Sequence, residues 1–169
     1  HYAIGDTYLN ANMNNEAIEE YEIAMQKLHK VSDSEKLQEK VLIQLIPTLI
    51  RMGRMNKAKA YLDQMEQMND YQHSRFIENI FQAYYYLHNN DMDKVRKYIQ
   101  EAEEWYEYYP FYFHSSILKY IQAEYAKRIG DDELAIKLYN ELTINTSSAN
   151  VSGAGRVGGI AGENGGAIV

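Results

Sequence analysis

The sequence predicts an all-α protein built as a stack of about four helical hairpins, and three observations carry that prediction. First, a small residue followed four positions later by a bulky apolar one recurs as Ala17–Tyr21, Ala58–Leu62, Val95–Ile99 and Ala135–Tyr139. The small residues lie 41, 37 and 40 positions apart, a period typical of hairpins that bury their faces only against neighbours. Second, apolar residues recur at three and four, as in Ile18, Tyr21, Met25, Leu28 and in Leu42, Leu45, Ile46, Leu49, while strand-type alternation is absent before residue 145. Third, the only glycine or proline residues between 31 and 129 are Gly53, Pro47 and Pro110.

Helices are expected over 1–11, 15–30, 35–52, 56–68, 72–88, 92–108, 112–129 and 132–143. The chain begins at His1, already inside a helical pattern, so its N-terminus is read as truncated and a missing signal peptide excludes nothing. Ser32, Asp33 and Ser34 offer N-cap oxygens to the third helix. Pro47 falls inside that helix and predicts a kink or break near Ile43 to Ile46, because proline lacks the N–H that bonds back one turn. Gly53 suits a turn with positive φ, Asn89, Asn90 and Asp91 form another turn, and Gly130 with Asp131 and Asp132 combines a stop with capping acids. Pro110 sits where a new helix begins.

After Leu142 the character changes. Residues 145–152 read NTSSANVS, a polar linker, and GAGRVGGIAGENGGAIV over 153–169 holds seven of the ten glycines. No helix tolerates that density. The expected division is therefore a helical repeat domain over 1–144 and a polar linker with a non-helical glycine-rich tail over 145–169.

Acidic side chains number 24 against 17 basic ones, a net charge of −7, and no Lys/Arg cluster rises above that field. Nucleic-acid binding by this portion is not expected. No apolar run is long enough to span a bilayer. The chain has no Cys, which removes disulfides and thiol chemistry and suits a reducing, cytoplasmic setting. Sixteen tyrosines against four phenylalanines suit a thin scaffold, where a ring is buried and its hydroxyl stays wet.

Enzyme signatures are missing. His1, His29, His73, His88 and His114 show no H-x-x-x-H pair, so no metal is expected. Glu19–Glu20 and Glu103–Glu104 are consecutive on helices, where their side chains diverge. Gly153, Gly155 and Gly158 spell G-x-G-x-x-G, but a polar linker precedes them and further glycines interrupt any helix after them, so no cofactor is expected. Met52, Met55, Met65 and Met68 read as repeat core ahead of an adaptable binding surface. The run WYEYYPFYF over 105–113 reads either as a wedge between the third and fourth hairpins or as an exposed anchor for a partner.

The stretch YAIGDTYLNANMNNEAIEEYEIAM, with Gly5, Tyr8, Ala17, Tyr21 and Ala24, resembles the tetratricopeptide repeat family. So does AEYAKRIGDDELAIKLYNEL, with Ala126, Gly130–Asp131, Ala135 and Tyr139, and RMGRMNKAKAYLDQM and HNNDMDKVRKYIQEA are weaker copies. The resemblance covers residues 1–143, with copies longer than the family's usual period. It implies a right-handed superhelix whose concave face is lined by the first helix of each hairpin. Carried over by register, the concave-face residues are Asp6 and Asn10, Arg51, Tyr84 and His88, then Tyr120, Glu124, Lys127 and Arg128. Amides, aromatics and both charge signs suit an extended peptide, the alternative being a merely solvent-facing stripe. The implied role is non-catalytic protein or peptide binding. The second implied role is a sensory or regulatory arm of a bacterial signalling protein, of the kind attached to diguanylate cyclases and peptide-sensing transcription regulators. The tail, through Val157, Gly158–Gly159, Ile160, Gly165–Gly166, Ile168 and Val169, is similar to a single GLUG motif of bacterial surface β-solenoids, which points instead to a surface or secreted protein.

Overall fold

The computed structural model describes residues 1–68, 72–106, 108 and 112–151, with side chains for 1–68, 75–106, 108 and 114–144. The order of elements is α1 (Tyr2–Asn10), α2 (Asn14–Leu28), α3 (Glu35–Arg51), α4 (Met55–Gln67), α5 (Gln72–His88), α6 (Met92–Tyr106), α7 (Tyr112–Arg128) and α8 (Asp132–Val151). There is no strand among the described residues. Each helix packs on the next, and α5 additionally packs on α3 and α7. One continuous core results, and the small residues sit at its helix crossings: Ala17, Ala58 and Val95 are fully buried and Ala135 nearly so.

The four turns inside the hairpins share one geometry. In each, a residue with positive φ follows the first helix: Asn12 (61°), Gly53 (71°), Asn90 (58°) and Gly130 (87°). The next N–H then returns to a carbonyl five residues back: Met13 to Tyr8 (2.8 Å), Arg54 to Leu49 (2.9 Å), Asp91 to Tyr86 (3.0 Å) and Asp131 to Ala126 (2.9 Å). Each positive-φ residue also donates to the carbonyl three back. These paired bonds close a Schellman turn, which satisfies carbonyls that the helix end leaves open. Asp91 and Asp131 go on to cap the following helix, accepting from the Lys94 N–H (3.3 Å) and the Leu134 N–H (3.2 Å).

Three local expectations come out differently. Ser34 stands at the N-cap of α3 without capping it: its hydroxyl donates to the carbonyls of Leu28 (2.8 Å) and Val31 (2.9 Å). The buried hydroxyl thus serves the end of α2 and the turn after it, adding to the Val31 N–H bond that the Leu28 carbonyl already accepts at 3.0 Å. Of the kink or break expected at Pro47, the break does not occur, and α3 runs on through it. Leu42, Leu45, Ile46, Leu49 and Ile50 are all fully buried around it, and Thr48 Oγ1 bridges back to the Gln44 carbonyl at 2.7 Å. That burial outweighs the one missing hydrogen bond. Finally, α8 continues to Val151, past the end expected at 143. Residues 152–169, with the G-x-G-x-x-G and GLUG-like stretches, lie outside the described residues, as do Glu107, Tyr109, Pro110 and Phe111 of the aromatic run.

α5 also buries a carboxyl, Glu78, at 6% exposure. Loss of water pushes its pKa up, Glu66 and Glu101 push the same way, and Arg75 and the hydrogen bond to Gln82 pull it back. A folded-state pKa above the unfolded one makes the contribution full below about 4.5 and lost as pH rises through the folded value. Glu78→Gln is therefore expected to raise the unfolding free energy at pH 7. The gain should vanish at pH 4. Urea unfolding at the two pH values reads this directly.

Candidate binding face

The site residues named from sequence occupy equivalent places in the repeat. Seven positions before each small residue stand Asn10, Arg51, His88 and Arg128, and eleven before stand Asp6, Pro47, Tyr84 and Glu124. The two rows are one helical turn apart, so they form a stripe down α1, α3, α5 and α7. The structure brings five of the named residues together, where α5 lies against α7. The Tyr84 ring meets His88 edge-on at 4.8 Å and Tyr120 edge-on at 6.3 Å. Arg128 reaches from α7 to α5, where Nη1 donates to the Leu87 carbonyl, and its Nη2 stands 4.0 Å from Glu124 Oε2. The guanidinium thereby serves a carbonyl at the C-terminal end of the α5 helix, where its charge is favoured.

Glu124 is buried and accepts a hydrogen bond from the Tyr139 hydroxyl of α8. Burial raises the pKa of Tyr139, and the bond to Glu124 raises it further. Burial likewise raises that of Tyr120, with Glu124 adding to it. Both phenols therefore stay neutral donors at physiological pH. His88 reaches solvent, with Nδ1 3.3 Å from the Tyr84 carbonyl. The protein packed beside its ring strips water from it and holds its pKa below the ordinary histidine value, with Arg128 adding to that effect. The face thus presents a neutral imidazole beside a guanidinium, over a floor of two buried tyrosines.

The other four named residues stand apart from this cluster. Asp6 accepts from the Tyr21 hydroxyl at 2.6 Å, and Asn10 is exposed one turn further along α1. Arg51 reaches α2, donating to Asn14 Oδ1 at 2.8 Å. Lys127 is exposed beside Arg128. Tyr139 is not among the concave-face residues expected from sequence, although the signal is present: Tyr21 and Asp6 stand fifteen residues apart, as do Tyr139 and Glu124. In the two middle hairpins the same pair of positions is apolar, Leu62 with Pro47 and Ile99 with Tyr84.

The aromatic run divides. Trp105 packs against the core, Tyr106 lies 6.5 Å from Phe76, and Tyr108 projects at 69% exposure. The methionines divide too, with Met65 buried, Met55 and Met68 packed against the core, and Met52 exposed. Among the described residues no cluster of His, Cys, Asp or Glu is placed to hold a metal ion, and no helix is long and apolar enough to cross a membrane. No family model, curated protein or solved structure matches the chain.

Proposed function

We propose that the chain is a non-catalytic scaffold of tetratricopeptide type that binds a protein or an extended peptide. On this reading its hairpins wind as a right-handed superhelix and the first helices line the concave face. The observation that carries the reading is the stripe of Asn10, Arg51, His88 and Arg128, one residue per hairpin at one register position. Four turns of one geometry support the same register. Side chains repeated at one place on successive helices meet an extended chain at regular intervals, with polar groups for its backbone and cations for its acidic side chains.

A peptide library panned against the immobilised chain tests this. The two exposed cations supply the probe: Lys127→Glu and Arg128→Gln are each expected to weaken a selected peptide about tenfold, close to 1.4 kcal/mol. Selected peptides that bind both variants as well as the parent chain would sink the assignment.

A further inference from the structure

The three joints between successive hairpins are built from register-equivalent residues, and the third differs from the first two. One position before each small residue stand Lys57, Lys94 and then Leu134; three positions after stand Tyr61, Tyr98 and then Leu138. In the first joint Lys57 Nζ pairs with Glu22 of α2 at 2.8 Å, and Tyr61 packs half-buried against the core. Beside the second, inside the third hairpin, Tyr98 of α6 stacks on Tyr86 of α5 with ring centroids 5.6 Å apart and planes 2° from parallel. Lys94 Nζ lies 4.6 Å from the Tyr86 ring, and Lys59 and Glu66 of α4 both act on the Tyr98 hydroxyl. Lys57 thus ties the second hairpin to the first, while Lys94 and Tyr98 cover the Tyr86 ring on α5 within electrostatic reach of α4.

The third joint has neither. Leu134 and Leu138 replace the lysine and the tyrosine, and Ala126 stands at the position of Tyr86. What remains is an open cleft of ≈ 350 Å³ between α6, α7 and α8, lined among others by Arg96, Ile99, Glu103, Tyr125, Leu134 and Leu138. That size matches the lower range of small-ligand pockets. Its walls are apolar, and its polar rim keeps the pattern of the filled joint. Arg96 and Glu103 are the register equivalents of Lys59 and Glu66, the two α4 groups that, after Tyr86 and Glu101, act on the Tyr98 hydroxyl. Gln122 Nε2 donates to Glu103 Oε1 at 2.8 Å and holds that carboxylate at the rim.

We propose that this cleft binds a single phenol-type ring from outside the chain, seated where Tyr61 and Tyr98 sit in the preceding joints, with its hydroxyl between Arg96 and Glu103. The ring packs on Ile99, Leu134 and Leu138, and the hydroxyl donates to Glu103 while Arg96 donates to it. This site shares no residue with the stripe on the first helices and stands independently of the role proposed for that stripe.

The test titrates the full chain with p-cresol, with N-acetyl-tyrosinamide and with toluene, following backbone amide shifts. Both phenols are expected to move the amides around Ile99, Leu134 and Leu138, and toluene to bind about tenfold more weakly for want of the hydroxyl. Tighter binding of N-acetyl-tyrosinamide assigns the site to a tyrosyl side chain of a peptide, and tighter binding of p-cresol to a free phenolic compound; either supports the proposal. The paired substitution Leu134→Lys with Leu138→Tyr restores the filled joint and is expected to keep the helical spectrum while losing at least about tenfold in phenol affinity. Should that variant unfold, Glu103→Gln decides, since this exposed residue should weaken the phenols and leave toluene unchanged. Absence of shifts with both phenols, shifts confined to other helices, or unchanged phenol binding in the folded pair or in Glu103→Gln would overturn the proposal.

Discussion

Tyr84→Ala is expected to lower the unfolding free energy by about 3–5 kcal/mol, the range for removing a large buried ring. Tyr84 is only 2% exposed, and its ring holds the edges of both His88 and Tyr120 at the junction of α5 and α7. Removing it opens a cavity that those two rings cannot close without leaving their own helices. Urea denaturation followed by circular dichroism reads the loss, and a change below about 1 kcal/mol would mean that the ring is not part of the core. The same burial makes Tyr84 a poor probe of binding, because loss of binding in this variant would report unfolding as readily as a missing contact. Lys127 is the cleaner probe, since Arg128 also ties α7 to the Leu87 carbonyl of α5.

Gly5→Ala is expected to destabilise the chain by about 1–3 kcal/mol, although alanine is the better helix former. A Cβ at Gly5 would stand 2.6 Å from Tyr21 Cε1 and 2.8 Å from Cδ1. The Tyr21 ring is fully buried, and its hydroxyl is tied to Asp6 at 2.6 Å, so it has nowhere to swing. The third hairpin shows an alternative pairing at the same register, Ala83 with Ile99. Gly5→Ala combined with Tyr21→Ile should therefore cost less than the sum of the two single changes, by about 1 kcal/mol in a double-mutant cycle. Additive losses would show that the close approach of α1 and α2 is not what demands the glycine.

Much of this architecture was legible because its causes are local. Gly53, Gly130 and the Asn89–Asn90–Asp91 group marked three of the four Schellman turns by residue type alone, and the eight helix positions followed from breakers and apolar spacing. Asn12 went unmarked because asparagine adopts positive φ less routinely than glycine, although it does so here at 61°. The run of α8 to Val151 has a simple cause: between Asp131 and Ser152 there is neither glycine nor proline to stop it. Polarity of a stretch is not a helix terminator.

The candidate face was legible as a register but not as a surface. Periodicity places Tyr84, Tyr120 and Glu124 on one stripe, yet it does not say how many neighbours cover that stripe. α5 is packed on four sides, by α3, α4, α6 and α7, so residues that look outward on an isolated helix become its floor. The Arg128 bond to the Leu87 carbonyl is another tertiary event, joining residues 41 apart through a backbone atom that no side-chain pattern reveals. The third joint shows the converse. Its cleft was present in the sequence as a Lys–Tyr pair that becomes Leu–Leu at the third occurrence, visible only once the helices had been aligned turn by turn.

The central claim is that the stripe carried by the first helices is where a partner lies. Backbone amide shifts measured on the labelled chain, with and without a library-selected peptide, test it most directly. The expected result is a band of perturbed residues centred on Asn10, Arg51, His88 and Arg128, running from α1 to α7. Perturbations confined to the second helices α2, α4, α6 and α8, with that band unmoved, would contradict it.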